Sequence, residues 1–200
     1  MPEIMISFRA GRKRNTIFDL LSLILPRLLR HANCCTCFMA CIDVMIETPR
    51  GSAEKYDYVP ELHLFKLKKV MPRGMVFPYD FGLIPGTKGD DGDPLDMIVI
   101  SEFHSFPGCL VKCRVIGGIA AEQSEKKDSD KVIRNDRFMA IPKVSKVFEK
   151  IESIKDLPGA MIDELEEFFI NYNKIEGKKF KVLSVINEKE ALKAIESNKK

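Results

Sequence analysis

Two hundred residues, 45% hydrophobic and 30% charged, suit one globular domain with a proper core and exclude an intrinsically disordered chain. The formal charge of +3 is unevenly spread, since residues 1–41 carry six Lys/Arg against Glu3 and Asp19, a net +4 that leaves −1 for the rest. A body so close to neutral is not that of a dedicated nucleic-acid binder, and no nucleic-acid partner is expected.

Residues 1–41 do not resemble the rest of the chain. The apolar run at 17–25 is broken by Asp19 and Ser22 and ends at Pro26, too short and interrupted for a transmembrane helix, so no membrane partner is expected. Asp19 inside the run and the lack of a small-x-small site speak against a signal peptide. Several readings stay open: a translation start at Met39 or Met45, a disordered tail, a basic targeting segment, or a metal site at Cys34-x-x-Cys37 that lacks a second Cys/His pair. The domain proper is expected over 42–200. Its two cysteines, Cys109 and Cys113, sit four apart on one predicted strand, a spacing for packing and not for a disulfide framework. That pattern fits a reduced, cytoplasmic protein.

From residue 42 the chain reads as short strands: 42–47, 54–59, 63–70, 96–100, 109–120 and 137–141, separated by Gly, Pro, Asp and Ser clusters. Strands at such spacing predict a closed or nearly closed barrel. The last sixty residues turn helical. A short amphipathic piece is expected at 144–151. A longer helix comes next, with Met161, Leu165, Phe168, Phe169 and Tyr172 on one stripe, Asp156 and Pro158 at its start and Gly177 at its end. Residues 178–185 read as a return strand. A final helix begins at Asn187, with Glu190 placed to complete a capping box. The expected class is α+β and β-dominated: a barrel of strands with two to three flanking helices.

Asp90, Asp91, Asp93 and Asp96 crowd the run GDDGDPLDMIVI at the lip of a predicted strand. Asp-Gly before a strand is ordinarily a turn, but three converging carboxylates need cations. An EF-hand loop starting at Asp91 fits Asp93 and even Glu102. It fails at its sixth position, where Asp96 stands in place of the required Gly. The D-x-D nucleophile of phosphatases that form an aspartyl-phosphate comes after a strand, whereas this motif precedes one.

DGDPLDM resembles the signature of soluble family I inorganic pyrophosphatases, and three more blocks resemble them in the same order: IETPRGSAEKYDY, FPYDFGLIPGT and FFINYN. The resemblance covers nearly all of 42–200 and implies an OB-like, five-stranded closed barrel with additional strands. It implies hydrolysis of pyrophosphate by metal-activated water, with Mg²⁺ as cofactor, several ions per site, and Mn²⁺ or Zn²⁺ as substitutes. It also implies a homo-oligomer. By position, Asp91 and Asp96 match metal ligands and Asp93 the residue that orients or deprotonates the attacking water. Lys55, Lys69, Arg137 and Tyr172 match substrate-binding positions, Glu47 and Asp57 match supporting acids, and Lys179 is a weaker match.

Several positions depart from the family pattern. Phe77 and Phe81 stand where the family has tyrosines, with Tyr79 and Asp80 between them as possible replacements. Lys69 replaces an arginine, Arg137 a lysine, and Asn173 the lysine after the functional tyrosine. Gln123 and Asn135 stand where metal aspartates are expected, each beside an acid, Glu122 and Asp136, which are the expected replacement ligands. The alternative function is a catalytically weakened relative that binds phosphate compounds or serves structurally.

Overall fold

The computed structural model describes residues 41–200. The start at Met39 and the cysteines 34, 35 and 37 lie outside the described residues. Among the described residues nine strands and two α-helices run in the order β1 (Cys41–Thr48), β2 (Glu54–Val59), β3 (Leu64–Val70), β4 (Asp80–Leu83), β5 (Asp96–Val99), β6 (Leu110–Ser124), β7 (Val132–Arg134), β8 (Arg137–Pro142), α1 (Gly159–Ile175), β9 (Phe180–Asn187) and α2 (Glu188–Ser197).

Five strands close a ring. β1 pairs with β4, β4 with β5, β5 with β8, β8 with β6, and β6 returns to β1. All these pairs are antiparallel except β5–β8. β6 is 15 residues long and outlasts the ring, so its far end also carries β7 and β9. β2 and β3 form a separate hairpin. This is the OB-like barrel with added strands.

The apolar run of β5 is explained by burial on both faces. Met97 and Val99 point into a cluster with Val44, Ile46, Ala191 and Ile195, capped by α2. Ile98 and Ile100 point into a second cluster with Phe77, Phe81, Leu165 and Phe169, capped by α1. β8 divides its side chains the same way, Phe138 and Ala140 to one side, Met139 and Ile141 to the other. A period of two feeding two cores leaves no polar position, hence the continuous hydrophobicity. Leu165 and Phe169 are almost fully buried, a burial worth about 1.5–3 kcal/mol each. Cys109 and Cys113 both belong to the α2-side cluster.

Gly117 and Gly118 let β6 bend between its partners. Gly117 has φ +144, and a Cβ at Gly118 would sit 2.8 Å from the Arg137 carbonyl of β8.

Residues 144–151 form turns, not a helix. Glu102 takes their donors: Ser145 Oγ at 2.7 Å, Lys146 N–H at 2.8 Å and Val147 N–H at 3.4 Å. Asp156 does not cap α1. It closes a capping box with Ser153 around a single 3₁₀ turn, and α1 begins one residue after Pro158. Gly177, at φ +69, lies just past the end of α1, and Asn187 and Glu190 cap α2 reciprocally. No helix among the described residues is long and apolar enough to cross a membrane.

Candidate active site

The acidic loop connects β4 to β5 and is tied down by its own backbone. Thr87 Oγ1 donates to the Ile84 carbonyl at 2.6 Å and accepts from Leu95 N–H at 2.9 Å. Gly89 N–H donates to the Asp93 carbonyl at 2.7 Å, and Gly92 takes φ +90, which a side chain would strain. Asp91 Oδ1 accepts from Asp93 N–H at 3.1 Å. The Asp-Gly pair is therefore a turn, and that turn carries Asp91 and Asp93 to the mouth of a cleft.

The cleft encloses about 530 Å³ between the barrel mouth, the β2–β3 hairpin and α1. Asp91, Asp93 and Asp96 line it, together with Glu47, Lys55, Asp57, Asn135, Arg137 and Tyr172. Lys69, Glu122, Asp136 and Lys179 are not among its lining residues. The reasons are local. Along β6 successive side chains alternate, so Gln123 faces the cleft while Glu122 takes the other face. Asp136 accepts from Ala121 N–H at 3.0 Å and Arg134 Nε at 2.5 Å, both away from the cleft. Lys179 reaches Asp130 instead, at 3.2 Å. The expectation that neighbouring acids replace Gln123 and Asn135 thus meets a cleft lined by neither. Phe77 and Phe81 line it, whereas Asp80 is buried behind it, accepting from Arg50 N–H at 2.7 Å, and Tyr79 does not line it.

Lys68 is a residue the sequence did not single out. β2 and β3 pair Lys55 with Lys69 but Tyr56 with Leu67, so Lys68 is the extra residue of a bulge. The bulge re-aims it into the cleft, 2.5 Å from Asp57. Lys69 turns instead to Glu176 at 2.5 Å, with its ammonium 3.9 Å from the Tyr172 ring centroid. Two lysines in a row in FKLKKV gave no way to choose between them. Glu125, Glu176, Lys178 and Lys200 also line the cleft; no motif marked them.

Charge is dense here. Lys55 is buried and lies 3.3 Å from Asp57, 3.8 Å from Glu47, and 5.2 Å from the Phe81 ring centroid. Burial pushes Glu47 above the usual carboxylate range, against the pull of Lys55 and of Tyr58 N–H. Asp57 is also pushed up by burial, but Lys68 and Lys55 outweigh that and hold it low. Asp91 is raised by burial and by its neighbours Asp96 and Asp93. Asp96 is raised by burial although Arg137 and Lys55 oppose it. Burial and Glu176 keep the Tyr172 phenol protonated well above its ordinary range.

Burial disfavours the charged forms of Glu47, Asp91 and Asp96, and a cation beside them would favour those forms. The donor set is made of oxygens, with no thiolate or imidazole, which fits a hard divalent ion of the Mg²⁺ type. Lys55, Lys68 and Arg137 stand among these acids, each paired with one of them. Acids and bases interleaved in one cleft define a class: a cleft for a small polyanion accompanied by hard cations.

The inorganic pyrophosphatase family model matches residues 44–200. Inorganic pyrophosphatases of Synechocystis and Thermus thermophilus are 37% and 36% identical over 142 and 155 residues, spanning 71% and 78% of this chain and 80% and 85% of theirs. Among solved structures, the inorganic pyrophosphatase of Thermus thermophilus superposes with a TM-score of 0.72 at 32% identity, covering 79% of this chain and 88% of that one. That of Coxiella burnetii gives 0.73 at 29%, covering 80% and 94%. The chain belongs to the inorganic pyrophosphatase family.

Proposed function

We propose that this chain hydrolyses inorganic pyrophosphate to two orthophosphates by attack of water. The observation that carries the reading is that Asp91, Asp93 and Asp96 line one cleft together with Lys55, Lys68 and Arg137. In this reading Asp91 and Asp96 hold Mg²⁺, for which Mn²⁺ or Zn²⁺ can stand in. When bound, the metal supplies positive charge for the phosphate oxygens and acidifies water. Asp93 takes the proton of the attacking water. Lys55 and Lys68 bind the outer phosphate oxygens, and the neutral Tyr172 hydroxyl donates to one of them. Lys69 acts from behind Tyr172. Phe77 and Phe81 form a dry wall that strengthens each of these charge contacts.

We assign 42–200 as the catalytic domain and a homo-oligomer as its working state. Cys109 and Cys113 are free thiols, as a cytoplasmic location requires. The test is phosphate release from pyrophosphate by the full chain, with and without Mg²⁺, beside Asp93→Asn. Metal-dependent release that falls at least about a hundredfold in the variant is expected, the scale of a lost general base. Equal release by both proteins sinks the reading.

A further inference from the structure

One corner of the cleft is filled by the chain itself. Asp96 of β5 and Arg137 of β8 are register partners in the parallel pair, so their side chains emerge side by side. Arg137 Nη1 forms an ion pair with Asp96 Oδ2 and donates to Asn135 Oδ1. Its Nη2 lies 3.5 Å from Gln123 Oε1. Asn135 in turn donates from Nδ2 to Asp91 Oδ2 at 3.0 Å, which fixes its amide with the carbonyl toward the guanidinium. The rings of Phe169, Phe180 and Phe81 surround the guanidinium carbon at 5.3, 5.8 and 5.9 Å.

We propose that the Arg137 guanidinium is the resident cation of the corner formed by Asp96, Asn135 and Gln123, and that this corner takes no divalent ion. The proposal rests on the reading of the cleft as a metal-dependent pyrophosphatase site. Charge supports it: of the three acceptors only Asp96 is anionic, and one guanidinium balances one carboxylate. A divalent ion there would leave an excess positive charge and would have to expel a buried arginine from its aromatic surround. Donor geometry supports it as well. The planar fork satisfies a carboxylate and two amide oxygens at once, and the Asn135 amide cannot turn without setting its NH₂ against the guanidinium. Divalent ions are therefore held on the Asp91 side of the cleft, with Asp96 contributing an oxygen other than the Oδ2 that Arg137 takes, and part of the positive charge at the site is permanent.

The test counts Mn²⁺ bound per full-length chain by equilibrium dialysis without pyrophosphate. Wild type is compared with Asn135→Asp and with the triple variant Gln123→Glu/Asn135→Asp/Arg137→Lys. The triple variant is expected to bind one more Mn²⁺ than wild type, and Asn135→Asp alone is expected to gain none, because Arg137 stays. An unchanged count in the triple variant, or a gain in Asn135→Asp, overturns the proposal. Should the triple variant not fold, the wild type decides. Its Arg137 side-chain NMR signals are expected to stay in slow exchange up to saturating Mg²⁺, and their release into fast exchange on Mg²⁺ addition overturns the proposal. Because no substrate is present, absent phosphate release would count against the proposed activity without altering the ion count.

Discussion

Lys68 and Lys69 are adjacent, both lysines, and placed for different work. Lys68 enters the cleft beside Asp57, while Lys69 is held by Glu176 and lies on the Tyr172 ring. Burial lowers the Lys69 pKa, with Lys55 and Lys68 adding to the effect, whereas at Lys68 Asp57 outweighs burial and raises it. Lys68 therefore offers a firm charge to an incoming anion. Since the Lys68 side chain is 54% exposed, its contact is screened and worth about 1 kcal/mol, so Lys68→Ala should raise KM for pyrophosphate roughly fivefold. Lys69→Ala should leave KM within about twofold and lower Tm instead, as expected when a packed stem is lost. Steady-state kinetics and melting of the two variants decide; a larger KM effect at Lys69 would reverse the assignment. The choice lay beyond sequence reasoning because a bulge decides it, and the bulge depends on how β2 pairs with β3. Asp91, Asp93 and Asp96 were legible because one contiguous motif carries all three.

Elements with local determinants were legible in the same way. β2 has an alternating run, and α2 begins with a capping box whose two halves are three residues apart. β4 was not: DFGL is four residues set among Pro78, Gly82 and Pro85, and it becomes a strand only because β1 and β5 flank it. The segment 144–151 has apolar spacing suited to a helix, but Val144 and Val147 are each 69% exposed. Glu102, more than forty residues earlier, takes its backbone donors and imposes turns. Those bonds, first from Lys146 N–H and then from Ser145 Oγ, lower the Glu102 pKa to about 2. An unfolded glutamate titrates near about 4.3. A carboxyl with a depressed folded pKa stabilises fully above the unfolded value and loses that contribution as pH falls toward the folded one. Glu102→Gln should thus melt below wild type at pH 6, and the difference should close between about pH 4.5 and 2. A gap independent of pH would mean that the charge on Glu102 is not what holds these turns.

At the scale of the whole molecule, barrel closure and the active site depend on the same close approach. β6 must pair with β1, β8, β9 and β7 along one strand, and it crosses β8 where Gly118 lies against the Arg137 backbone. The residue whose carbonyl limits Gly118 is the one whose guanidinium enters the cleft. A methyl at Gly118 would meet that carbonyl at 2.8 Å and the Phe138 Cα at 3.1 Å, both backbone atoms that cannot swing aside. Gly118→Ala should therefore cost about 1–3 kcal/mol as overpacking. That corresponds to a Tm lower by roughly 2–4 °C per kcal/mol for a domain of this size. It should also weaken phosphate release, since β8 must shift and carry Arg137 with it. Gly159 is the matched control: it is the first residue of α1, and a Cβ there meets nothing within 4 Å. Gly159→Ala should raise stability by about 0.5–1 kcal/mol through helix propensity and a less flexible unfolded chain, with release unchanged. Thermal melting and phosphate release of both variants separate a general intolerance of alanine from a constraint at the β6–β8 crossing. If Gly118→Ala melts like wild type and keeps its activity, the strands can part at no cost, and the coupling of barrel closure to Arg137 placement is wrong.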